Sequence, residues 1–173
     1  MARVLRVPSS ERACRRDADG EAKVAAMLAQ LDDRWRVLHA VPLNDGSTTI
    51  NHLVIGPAGV YCLSTRHHPG GSILVAGDLF MVDGRRYTYT EAARRFAADA
   101  RARLSVACGF PVDVTAVVVP VGADDFLIKR QPHGVGIVTR ARLSRWLSGQ
   151  TEALEPGRVE EIYAAARRSD VWE

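Results

Sequence analysis

TINHLVIGPAGVYCLSTRHHPGG, residues 49–71, places two apolar runs on either side of a Gly-Pro-Ala-Gly break, with polar side chains only toward the far ends. A turn at residues 56–59 makes this a hairpin in which Ile55 opposes Val60, Leu53 opposes Cys62 and Asn51 opposes Ser64. Directly opposed residues share a face, so alternation adds Arg66 and His68 to the side of Asn51 and Ser64. His52, Thr65 and His67 turn to the other side. The expectation is a polar patch at one end of a sheet. Opposed side chains stand about 5 Å apart at Cβ, the separation at which two carboxylates grip one divalent ion. Here neither of the two positions is a carboxylate.

Outward from the hairpin, "WRVLHAV" (35–41) reads as a strand and "LNDGSTT" (43–49) as a loop turning at Asp45 and Gly46. Upstream, Ser9 and Ser10 can cap a helix to about Leu31, carried by Val24, Leu28 and Leu31 and bent at Gly20. Downstream, "SILVAG", "LFMVDG" and "RRYTY" read as small antiparallel ribbons decorating an edge. "TEAARRFAADARARLSVACG" (90–109) is the clearest helix, with Ala93, Phe96, Ala97, Ala100, Leu104 and Ala107 on one face and Thr90 as its cap. "VTAVVVPVG" is the continuous apolar run of a strand covered on both faces. "VGIV" is a shorter strand, and helices follow at about 140–147 and 156–168, the last with Pro156 near its start.

At 173 residues, 47% hydrophobic and 25% charged, the chain fits one compact domain with a proper core. A net charge of +3 and a pI near 9.0 permit nucleic acid as a partner without requiring it, because acids and bases are interspersed. No apolar run approaches the roughly 18 residues of a membrane span and no signal peptide is legible, so a cytoplasmic protein with no membrane association is expected. Cys14, Cys62 and Cys108 are odd in number and widely spaced, and read as free thiols.

With these elements in place, the sequence resembles the nuclease-related domain (NERD) family, a branch of the PD-(D/E)XK, restriction-endonuclease-like superfamily. "DGEAKVAAMLAQLDDRWRVLHAV" is similar to the family's Gly-Glu helix and first strand. "INHLVIGPAGVYCLSTRHHPGGSI" resembles its Ile-Asp-His-hydrophobic-Gly-Pro-x-Gly-Val…Thr-Lys-x…Gly hairpin. "TEAARRFAADARARL", "VTAVVVPVGA" and "HGVGIVTRARLSRWL" resemble later segments, so that residues 17–148 are covered. The resemblance implies an α/β fold, a restriction-endonuclease-like mixed sheet flanked by helices with a small antiparallel ribbon insertion. It frames the chain as a basic segment at 1–16, a nuclease-related domain at 17–150 and a C-terminal helical segment at 151–173 packed on it.

The resemblance also implies a site. In the family a helix acid, an Asp on the second strand and an Asp/Glu-x-Lys on the third bind a magnesium-type ion and activate water for phosphodiester cleavage. Glu21 matches the helix acid. Asn51 stands at the Asp position, Ser64 at the second carboxylate and Arg66 at the lysine. Losing two carboxylates removes the charge that holds a hard dication, and a guanidinium cannot act as a base although it forks well onto phosphate.

The leading expectation is therefore a catalytically degenerate protein that binds nucleic acid or another protein, with Arg66 and His68 as phosphate contacts and no cofactor. The alternative is an active magnesium- or manganese-dependent nuclease with a site rebuilt from Glu21, a nearby Asp (Asp45, Asp78 or Asp83) and His68. The third is a purely structural or assembly subunit. A zinc or manganese site from His52 with His67 or His68 lacks a third ligand. The arginines Arg94, Arg95, Arg101 and Arg103 scatter over the solvent side of their helix. The N-terminal Arg3, Arg6, Arg12, Arg15 and Arg16 form the densest basic cluster, suited to steering an acidic partner.

Overall fold

A computed structural model describes residues 9–43 and 48–173. The quoted stretch forms two antiparallel strands, β2 (Thr48–Gly56) and β3 (Gly59–His67), in the expected register, with Ile55 opposite Val60 and Leu53 opposite Cys62. Strand β1 (Arg36–Leu43) adds antiparallel to β2. The apolar run becomes β7 (Val114–Val121), parallel to β3, and β9 (Val135–Ile137) adds parallel to β7. The order β1-β2-β3-β7-β9 is a mixed five-stranded sheet. Residues Ala116 to Val121 are all buried, as a strand covered on both faces requires.

Helices cover each face of this sheet. Val24 and Leu28 of α1 (Ser9–Leu28) join Leu143 and Leu147 of α3 (Leu143–Ser148) against Val54, Tyr61, Leu63, Val117 and Val119. On the opposite face, Ala93, Ala97, Ala100 and Leu104 of α2 (Tyr89–Cys108) pack with Val159, Ile162 and Ala166 of α4 (Pro156–Ala166) on Leu53, Ile55, Val60 and Cys62. The small side chains of α2 let it lie close on the sheet. Helix α4 carries Pro156 in its first turn, where a missing N–H costs nothing.

Several local expectations need correcting. The segments β4 (Ser72–Ala76), β5 (Leu79–Val82) and β6 (Arg85–Tyr87) pair antiparallel, yet they are more than an edge decoration. Strand β8 (Asp125–Arg130) adds parallel to β4, and the resulting second sheet puts Ile73, Val75, Phe80 and Val82 into the α2 core. Thr90 does not cap α2. Thr88 holds that position without a side-chain cap bond, and Thr90 is fully buried. Helix α1 ends at Leu28 and runs unbroken through Gly20. Gly20 serves close approach instead: a Cβ there would lie 2.8 Å from the His67 Cβ. The side chains of Ser9 and Ser10, expected as caps, and the turn at Asp45 and Gly46 lie outside what is described.

The hairpin turn is locked from outside. Gly59 takes φ +132°, and the Pro57 carbonyl accepts from the N–H groups of Ala153 and Leu154 at 2.8 and 2.9 Å. Trp35 lies flat against Gly56, where a Cβ would meet the indole at 2.2 Å. Gly56→Ala should therefore displace the indole and cost about 1–3 kcal/mol of unfolding free energy in urea melts. A cost near zero would show that the indole has room to move.

Candidate functional site

The alternation that aligns Asn51 with Ser64 breaks at the end of the hairpin. Ile50 and Leu53, three residues apart, enter the same core, and so do Leu38 and Val41 on β1. Unbroken alternation forbids both. Ala40 lies between, at φ +50°, and paired residues skip from His39 opposite His52 to Val41 opposite Ile50. The paired register of β2 and β3 likewise stops at His52 and Leu63, so Asn51 and Ser64 are not ladder partners.

Asn51 consequently turns toward α1. Its Nδ2 donates to Glu21 Oε1 at 2.8 Å, and its Oδ1 accepts the Thr65 backbone N–H at 2.8 Å. The Thr65 N–H can only donate, so the carbonyl side of the amide must face it and the NH2 must face the carboxylate. Burial raises the Glu21 pKa above its ordinary value, helped by Asp17 one turn earlier and opposed by Arg66.

Ser64 is 3% exposed and, by alternation with Cys62, faces the α2 core. Arg66 follows on the same side. Its guanidinium lies 4.6 Å from the centre of the Tyr89 ring at the start of α2, a cation–π contact, and its Nε is buried with no hydrogen-bond partner. Burial lowers the Arg66 pKa from its usual value, against the pull of Tyr89, Asp17 and Glu21. His68 joins this side through a 2.9 Å hydrogen bond between its Nε2 and the Tyr89 hydroxyl. Burial pushes that hydroxyl up to about 12, so it stays protonated and donates. Burial and the neighbouring Arg66 hold His68 below the usual imidazole range, which keeps it a neutral acceptor. Tyr89 was invisible as a site residue because an aromatic just before a helical repeat reads as core.

Glu21 with Asn51 and Arg66 with His68 thus approach one end of the sheet from its two faces. They do not share a single face. The arrangement offers one carboxylate already bonded to an amide, and a half-buried guanidinium lying on an aromatic ring. Thr65 Oγ1 is also buried without a partner.

The remaining candidates are engaged elsewhere. His52 Nδ1 shares a 2.8 Å hydrogen bond with His39 Nδ1, and His67 Nδ1 donates to the Arg16 carbonyl at 2.6 Å. Asp78 pairs with Arg94, and Asp83 Oδ1 accepts the Ser72 N–H at 2.9 Å; Asp45 lies outside the described residues. Among the described residues, no three His, Cys, Asp or Glu side chains are grouped to hold a metal. On α2, Asp99 pairs with Arg103, and Arg101 pairs with Asp113. Arg15 and Arg16 are exposed, while Arg3 and Arg6 and the side chain of Arg12 are not described. The three cysteines are free, and burial lifts the Cys62 thiol to about 12. No helix among the described residues is long and apolar enough to cross a membrane.

The family model of the nuclease-related domain matches residues 16–121, from the first turns of α1 to the end of β7. Neither the curated proteins nor the solved structures contain a match.

Proposed function

The chain belongs to the nuclease-related domain family, and on that premise we propose that it binds nucleic acid without cutting it. The observation that carries this reading is the 2.8 Å hydrogen bond from Asn51 Nδ2 to Glu21 Oε1. In an active member a dication would join two carboxylates at these positions. Here the amide N–H supplies the positive end itself, so the contact is complete without an ion.

The donor set does not fit the family's metal. A hard cation is held by several anionic oxygens. Of the four family positions only Glu21 is a carboxylate, burial raises its pKa, and Asn51 already takes one of its oxygens. Ser64 contributes at most a hydroxyl, buried on the α2 side. Arg66 brings positive charge to the same end of the sheet, near enough to oppose the rise in the Glu21 pKa. It stays protonated at any working pH, so it cannot be the base that a lysine can become. Its half-buried guanidinium instead brings a fixed positive charge to the sheet end, of the kind that forks onto phosphate.

Two assays test the reading. Plasmid and single-stranded DNA incubated with magnesium or manganese should remain intact. Labelled DNA should associate in a salt-sensitive way, and Arg66→Ala should weaken that association several-fold. Metal-dependent cutting that is lost in Glu21→Gln would establish the rearranged nuclease instead. No association with any nucleic acid would leave a structural or protein-binding role.

A further inference from the structure

Beyond the segment matched by the family model, β8, β9 and α3 enclose an open groove of about 760 Å³. Its lining is largely aromatic and aliphatic, with Phe126 and Ile128 from β8 and Trp146 from α3. Its rim carries Arg142 and Arg145. A smaller hollow shares Phe126 and Thr139 with it, adds Arg140, and runs to Pro120, Val121 and Gly122 at the end of β7. No carboxylate lines either part.

What sets this place apart is that its cations share one concavity, whereas much of the charge elsewhere is paired. Arg34, Arg36, Arg94, Arg101, Arg103, Arg158 and Arg168 are each neutralised by a carboxylate. Arg140, Arg142 and Arg145 are exposed and make no ion pair among the described residues. Three uncompensated guanidinium groups along one concavity attract a polyanion.

The floor narrows the kind of polyanion. Trp146 is held in place by an edge contact to Tyr61, with ring centres 5.8 Å apart, and by Gly136, where a Cβ would come within 3.3 Å of the indole. A fixed indole beside Phe126 is a ready platform for an unpaired base, and base-on-aromatic stacking is worth about 1–3 kcal/mol per base. Duplex bases are already stacked inside the helix and would leave this floor unused. An acidic peptide would use the rim and waste the platform.

The groove also leads to the site already described. Gly122 at its end packs against His67, where a Cβ would meet the ring at 3.0 Å, and Pro120 and Val121 pair with Arg66 and His67. We infer that single-stranded nucleic acid lies in the β8–β9–α3 groove, its phosphates on Arg140, Arg142 and Arg145 and a base against Trp146, and continues over the end of β7 toward Arg66. This assignment rests on the nucleic-acid-binding reading above and names its surface and its strand class.

The test is fluorescence anisotropy of the full chain with labelled oligo(dT) and with the matching duplex, over a range of salt concentrations. The single strand should bind at least tenfold more tightly than the duplex and quench tryptophan fluorescence. Arg142→Glu with Arg145→Glu should weaken binding at least tenfold and lower the salt slope by about 1.4, the value for two single-strand phosphate contacts. Arg85→Glu with Arg86→Glu, an equal charge change at exposed positions on β6, should cost less than threefold.

The groove assignment is overturned if the two double variants weaken binding alike, if the duplex binds as tightly as the single strand, or if a poly-glutamate peptide binds while oligo(dT) does not. Loss of binding in Arg66→Ala with no effect of the groove variants would refute the groove and keep the nucleic-acid reading. Absence of all oligonucleotide binding would refute both.

Discussion

In the variant Asn51→Asp, Ser64→Glu, Arg66→Lys, manganese should bind with a sub-millimolar dissociation constant, while the parent chain gives no binding heat. The gain is at least about 100-fold, or roughly 3 kcal/mol. The first change matters most, because it turns the donor facing Glu21 into an acceptor. Two carboxylates then face each other across the 2.8 Å that a hydrogen bond now spans. Without metal, Asn51→Asp alone should cost about 1–3 kcal/mol at neutral pH and raise the Glu21 pKa further. Metal should restore that loss, so the melting temperature of the triple variant should climb with manganese concentration. The second change buries a carboxylate on the α2 side, which destabilises the fold further and leaves the ion's charge, reached across the sheet end, as its compensation. A triple variant that folds and binds no metal would mean that these positions do not hold the family's geometry.

The second large effect concerns acid. His52 is 2% exposed, its Nε2 has no partner, and burial next to His39 lowers its pKa from 6.5 to about 4. An unfolded chain takes up this proton near pH 6.5, and the folded chain does so only near pH 4. Between those values the unfolded state binds more protons, so stability falls as pH falls through that window and does not change on this account above it. At pH 4.5 the protein should be roughly 2–3 kcal/mol less stable than at pH 7 from this histidine alone. Urea melts of His52→Leu should show that much less pH dependence over the same interval. Equal slopes in parent and variant would show that His52 takes up its proton without hindrance in the fold.

The fold was largely legible because its decisive signals are local. Gly-Pro-Ala-Gly between two apolar runs fixed a hairpin with a defined register, and the unbroken apolar run of β7 required cover on both faces. The failures have a common cause in contacts distant in sequence. Asp-Phe-Leu-Ile-Lys-Arg has no clean alternation, and β8 becomes a strand only because β4, some fifty residues earlier, offers an edge. Thr90 looked like a cap because capping depends on where a helix starts, and the helix here starts at Tyr89, two residues earlier than a cap at Thr90 requires.

For the site, the residue identities were readable and their faces were not. Period-2 counting carries Asn51 to the side of Arg66 unless something interrupts the strand, and the interruption comes from Ala40 on the neighbouring strand. No count along β2 could have found it. The arginines of the groove were passed over for a related reason. Arg140 and Arg142 sit in a 3-10 turn and Arg145 on the short helix after it, and their significance depends on aromatic and aliphatic side chains supplied by β8.

The claim underlying this account is that an amide has taken the place of a cation between α1 and β2. Diffraction from crystals of the unmodified chain soaked in manganese tests it most directly, since anomalous scattering locates the ion without prior assumption. The account predicts no anomalous peak beside Glu21, with the Asn51 amide still 2.8 Å from the carboxylate. A fully coordinated ion bound by Glu21, with the Asn51 amide turned away, would contradict it.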